Sequence, residues 1–84
     1  MRSALGDPAY RAFVRRVIAL RMQAKITQRE LANRLDRPPS YVDKTERYER
    51  RMDPAEFCAI VLALGFDPAT EFAAVVAQNA SDLA

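Results

Sequence analysis

The apolar positions of this chain recur at helical spacing, and the periodicity predicts five helices. In the first, from Pro8 to about Ala24, Phe13, Val17 and Leu20 form a core stripe that Val14 and Ile18 widen, while Arg11, Arg15 and Arg16 take the outer side. Two short helices follow, one through Thr27–Leu35 and one at about residues 39–50, separated by the break Asp36-Arg37-Pro38-Pro39. Leu31, Leu35 and Val42 supply apolar positions for a shared core, and Ala32 is small where two helices must approach closely. A fourth helix, from Pro54 to about Leu64, buries Phe57, Ile60, Val61 and Leu64 and stops at Gly65. The fifth starts after Asp67 and carries Phe72, Val75 and Val76, and residues 79–84 form a frayed tail. β-Branched residues never alternate with polar ones over a strand length, so the fold class is all-α.

The helix boundaries have their own chemistry. Asp7-Pro8-Ala9, Asp53-Pro54-Ala55 and Asp67-Pro68-Ala69 each place an N-cap carboxylate before a proline at the first helical position, where no N–H is needed. Thr27 and Glu30 have the spacing of a capping box, in which each side chain accepts from the other's backbone N–H. With 84 residues, half of them hydrophobic, there is room for one domain spanning residues 1–84 with its core in about 8–77.

Charge changes the picture from a plain bundle to a polarised one. All 13 Lys and Arg lie in residues 1–51 beside six acidic residues, a net +7, whereas the remainder has five acidic residues and no basic one, a net −5. One half therefore suits a polyanion and the other suits solvent or a partner. The chain has no His, and its one cysteine, Cys58, lies in an apolar helical run where a buried structural thiol is the reading. Without a histidine base, a Cys/His metal spacing or a glycine-rich phosphate loop, neither an enzyme nor a metal or cofactor site is expected. No apolar run approaches transmembrane length and the N-terminus lacks the apolar core of a signal peptide. The expectation is a cytoplasmic protein with no membrane attachment and no small-molecule ligand.

The pattern Thr27-Gln28-x-Glu30-Leu31-Ala32-x-x-Leu35, followed by Val42, Lys44 and Glu46, resembles the Cro/cI-like (XRE) helix-turn-helix family of DNA-binding regulators. The resemblance runs through Asp53 to Phe66 and covers roughly residues 10–77. It implies a lambda-repressor-like domain that binds double-stranded DNA and reads the major groove with the helix at about 39–50. It places Gln28 at a phosphate, Pro39, Ser40 and Lys44 at the groove floor, and Arg47 against the backbone. Lys44 suits either guanine O6/N7 or a phosphate, Tyr41 a sugar or a thymine methyl, and Asp43 a cytosine amine. Arg29, Arg50 and Arg51 are further phosphate candidates. Four positions depart from the family pattern: Asp36 and Tyr48 stand where glycine is usual, Pro39 where glutamine is common, and Asp43 where serine is common.

Glu46 has two readings. On a solvated surface it would pair with Arg50 at i+4, whereas the resemblance implies a partly buried structural ion pair with Arg21. The resemblance further implies a homodimer through the last helix, with Phe72, Val75 and Val76 as interface candidates. The expected function is a sequence-specific transcriptional regulator, a repressor of bacterial or phage type that is nucleoid-associated when bound. The alternative is a helix-turn-helix reused as an adaptor or antitoxin-like module, with Pro39, Tyr41, Asp43 and Tyr48 facing a protein partner.

Overall fold

Six helices and no strand make up residues 6–83, the part of the chain that the computed structural model describes. Residues 1–5 and 84, the ends of the expected 1–84 domain, lie outside it. In chain order the elements are α1 (Pro8–Gln23), α2 (Gln28–Arg34), α3 (Pro39–Glu46), α4 (Pro54–Ala63), α5 (Pro68–Gln78) and α6 (Ala80–Leu83). The sixth helix replaces most of the expected frayed tail. At Asn79 the chain leaves α5 while the side-chain amide donates to the Val75 carbonyl at 2.9 Å, and α6 turns back to touch α1.

The Asp-Pro-Ala sequences start helices by the same mechanism three times. Asp7 accepts from the Ala9 N–H, Asp53 from Glu56 and Asp67 from Thr70, at 2.7–2.9 Å. Thr27 Oγ1 accepts the Glu30 N–H at 3.0 Å, the N-cap half of the expected box. The complete reciprocal box forms at α4, where the Glu56 carboxylate also accepts the Asp53 N–H at 2.9 Å.

Helix ends share a second device. After α1, α2, α3 and α4 the chain enters the left-handed region at Lys25, Asp36, Tyr48 and Gly65, with φ of 58°, 56°, 61° and 90°. In each case the next residue's N–H bonds back to a carbonyl of the last turn, as in Ile26 to Arg21, Arg37 to Ala32, Glu49 to Lys44 and Phe66 to Val61. Only the last of the four is a glycine. Tyr48 therefore ends α3 by the route a glycine would take, so α3 is shorter than the expected 39–50 and residues 47–50 leave the helix.

The core is built from Val14, Val17 and Leu20 of α1, Leu31 and Ala32 of α2, Val42 of α3, Phe57, Ile60 and Val61 of α4 and Leu64 at the end of α4. Val14 is fully buried whereas Phe13 and Ile18 are marginal, a rotation of the expected α1 stripe. Helix α1 packs against α3, α4 and α5 together, and the line of Val14, Val17 and Leu20 is its most buried. Phe13 instead meets Phe57 edge-on and Phe72 at a tilt, with centroids 5.5 and 5.0 Å apart. Cys58 is exposed and not buried. Helix α4 is apolar around most of its circumference, so periodicity could not say which side faces inward, and Cys58 and Leu62 lie on the outer one.

Lys25 is exposed, and an L-residue at its φ is less favourable than glycine. Lys25→Gly is expected to stabilise the fold by about 0.5–1 kcal/mol, raising the melting temperature by roughly 2–8 °C in a domain of this size. A lowered melting temperature in a thermal unfolding scan would contradict this account of the α1 terminus.

Candidate nucleic-acid interface

Helices α2 and α3 pack chiefly on one another, and their angle to the rest of the bundle is fixed by a side-chain clamp. Arg21, at the end of α1, meets Glu46, at the end of α3, through two parallel bonds of 2.6 and 2.9 Å. The third guanidinium nitrogen donates to the Ile26 carbonyl at 2.9 Å, and Gln28, first in α2, donates its side-chain amide to the same Glu46 carboxylate at 2.9 Å. Arg21 and Glu46 side chains are only 13% and 9% exposed, so the pair is shielded from solvent. Three helix ends thus converge on one carboxylate.

A second network fixes the chain just after α3. Arg50 pairs with Glu56 and lies over the Tyr41 ring at 4.1 Å, while the Tyr41 hydroxyl donates to Glu56 at 2.8 Å. Arg37, from the α2–α3 turn, covers the same ring at 5.1 Å. Burial and the hydrogen bond to Glu56 raise the Tyr41 hydroxyl above its ordinary pKa. Burial alone would raise Glu56 too, but bonds from Arg50, the Asp53 N–H and Tyr41 outweigh it and hold the carboxyl below the usual glutamate value.

What remains outward on α3 is a narrow face. Pro39, Ser40 and Lys44 are exposed and Asp43 half-exposed, with Pro39 and Asp43 one turn apart and Ser40 and Lys44 likewise. Tyr41, Val42 and Thr45 point into the bundle, and the Thr45 hydroxyl donates to the Tyr41 carbonyl at 2.7 Å. Arg47 lies at the end of this face between Glu49 at 2.9 Å and Asp43 at 3.4 Å. Arg29, in the first turn of α2, and Arg51, after α3, are exposed, Arg51 standing 5.9 Å from the Tyr10 ring.

Residues 12–74 match the family model of a helix-turn-helix domain. Among solved structures, the chain is similar to an XRE-family like protein from Pseudomonas syringae pv. tomato str. DC3000, at 41% sequence identity and a TM-score of 0.80, over 83% of this chain and 85% of that one. The chain belongs to the XRE-type helix-turn-helix family. The curated proteins yield no match. The XRE-type helix-turn-helix is typically a DNA-binding, non-enzymatic fold. Among the described residues no three His, Cys, Asp or Glu side chains gather to hold a metal, and no single helix is long and apolar enough to cross a membrane.

In this XRE-type domain the structure brings together Pro39, Ser40, Asp43, Lys44 and Arg47 and withdraws others. Tyr41 is buried under two guanidinium groups with its hydroxyl bonded, so it cannot meet a base. Its amphipathic side chain reads equally well as surface or core, which is why sequence placed it outside. Arg50 is committed to Glu56 and Tyr41, not to a phosphate, and Glu46 pairs with Arg21 and not with Arg50. Gln28 is half-buried and held by Glu46, leaving one amide hydrogen for an outside acceptor. Val75 is 2% exposed and packs in the core, unlike Phe72 and Val76, so it cannot form a dimer contact. Sequence reasoning missed Glu49 and Glu56. The Asp53-x-x-Glu56 capping spacing could have found Glu56, and a left-handed Tyr48 would have folded Glu49 back over the last turn of α3.

The depressed Glu56 carboxyl sets a pH dependence. The folded chain holds Glu56 ionised more firmly than the unfolded chain does, so its contribution is complete above the ordinary glutamate pKa of 4.5 and lost as pH falls through the lower folded value. Glu56→Gln is expected to destabilise by about 1–2 kcal/mol at neutral pH, with the gap to the native sequence closing in acid, below the ordinary glutamate range. Denaturant titrations at neutral and acidic pH measure it, and a gap that persists or widens in acid would contradict the assignment.

Proposed function

We propose that this chain is a sequence-specific DNA-binding repressor that inserts α3 into the major groove. The observation that carries the reading is the clamped α3, which shows solvent a short polar face of Pro39, Ser40, Asp43 and Lys44 on an otherwise buried helix. Lys44 and Ser40 then meet base edges, Arg29, Arg51 and the remaining Gln28 amide hydrogen meet phosphates, and Arg47 follows the backbone. Repression requires only that the bound protein exclude others from the same DNA. In this reading it works at the nucleoid in the cytoplasm.

The reading includes a homodimer through the acidic half. Leu62, Phe72 and Val76 are large apolar side chains left exposed on α4 and α5, and Phe72 closes a shallow groove with Cys58, Pro68, Ala69 and Ala73. A two-fold pair would set two copies of α3 in successive major grooves, about 34 Å apart, on a roughly palindromic site. One observation favours the second reading, a protein-binding module: Asp43 and Glu49 offset the charge of Arg47 on the presented face.

Selection of fragments from the genome that encodes the chain, followed by anisotropy against a scrambled duplex across a salt series, tests the proposal. A preference of about a thousandfold or more for one site, with two chains bound and a marked loss for Lys44→Ala, is the expected result. Equal, weak binding to every duplex would overturn it in favour of the protein-partner reading.

A further inference from the structure

We infer that Asp43 and Glu49 form an electrostatic guard on Arg47, which suppresses binding to DNA of arbitrary sequence. The inference rests on the DNA-binding reading above and adds residues whose effect is on selectivity. Arg47 stands at the end of the presented face of α3, 63% exposed, within 2.9 Å of the Glu49 carboxylate and 3.4 Å of Asp43. Those carboxylates are themselves 47% and 41% exposed, so both reach the surface that a duplex would approach.

The local backbone produces this arrangement. Asp43 lies one turn before Arg47 on the same side of the helix. The left-handed Tyr48 then reverses the chain, so that the Glu49 N–H returns to the Lys44 carbonyl at 2.8 Å and the Glu49 side chain comes beside the guanidinium. Had α3 continued, residues 47 and 49 would point to different sides. The cations Lys44 and Arg47 and the anions Asp43 and Glu49 together leave the end of this face without net charge, although the first 51 residues carry +7.

Phosphate contacts supply nearly all of sequence-independent affinity, because each neutralised phosphate releases condensed counterions. An arginine already paired with two carboxylates gains little from a phosphate and brings the carboxylates near it, where they repel the backbone. Arg47 is partly released toward a phosphate when the register gives Asp43 another donor, such as a cytosine amine, and leaves the guanidinium with Glu49 alone. A duplex of the wrong sequence does not set such a donor opposite Asp43. Selectivity is thus obtained by withholding a nonspecific contact.

The test uses a random-sequence duplex and the full chain carrying Glu49→Gln, Asp43→Asn, Arg47→Gln and the pairwise combinations, each checked for an unchanged melting transition. Glu49→Gln is expected to tighten random-duplex binding about two- to fivefold at low salt, the worth of an exposed ion pair, with Asp43→Asn doing less because of its longer contact. The slope of log affinity on log salt steepens by up to about one unit. Both gains disappear in the Arg47→Gln background. Gains that persist without Arg47 would mean that only net charge matters and would overturn the guard, as would no gain at all beside measurable native binding. Failure of every variant to bind any duplex at low salt would remove the DNA-binding reading and this inference with it.

Discussion

Glu46 accepts three side-chain hydrogen bonds from two helix ends other than its own, and the placement of α3 depends on them. A helix of eight residues has too little surface to fix its orientation through apolar contacts alone, and α3 contributes only Tyr41, Val42 and Thr45 to the interior. Rotation about the α2–α3 contact is opposed in apolar terms by those few side chains. It would also break a bidentate arginine–carboxylate pair shielded from water and strand both charges. The clamp therefore converts a compliant packing contact into a fixed orientation, which a face of four or five side chains needs if it is to meet a groove in one register.

The same solution recurs across the bundle. Arg16 of α1 holds the buried Glu71 of α5 at 2.6–2.7 Å, and Arg50 holds Glu56 at the start of α4. Each acid lies on a helix that a small core contacts only along one line. A domain of this size buries a modest fraction of its surface, so directional polar bonds do part of what apolar area does in larger proteins. No buried side-chain nitrogen or oxygen among the described residues lacks a hydrogen-bond partner, as such networks require. The arginines are divided accordingly: Arg16, Arg21 and Arg50 serve the fold, while Arg29, Arg47 and Arg51 remain at the surface.

How much could be read from sequence varied with how local the cause was. The three Asp-Pro starts, the Thr27 cap and the Gly65 stop are set by neighbouring residues and were legible to within a residue or so. The end of α3 was less so, because Tyr48 in the left-handed region is held there by bonds closing on the last turn rather than by its own preference. The outward side of α4 was not legible, since an almost wholly apolar helix carries no stripe, and Cys58 is exposed on it. At the site, the presented residues Ser40, Asp43 and Lys44 follow from helical spacing once the inward line is known. The fates of Tyr41 and Arg50 were hidden, because Glu56, sixth in sequence after Arg50, becomes their common partner only when α4 is in place.

The most direct measurement of the clamp's role is a double-mutant cycle on Arg21→Met and Glu46→Gln, read by denaturant unfolding. A coupling of about 2 kcal/mol between the two positions is expected, as for groups in one shielded network. A coupling below roughly 0.5 kcal/mol, the level of a solvated surface pair, would contradict it.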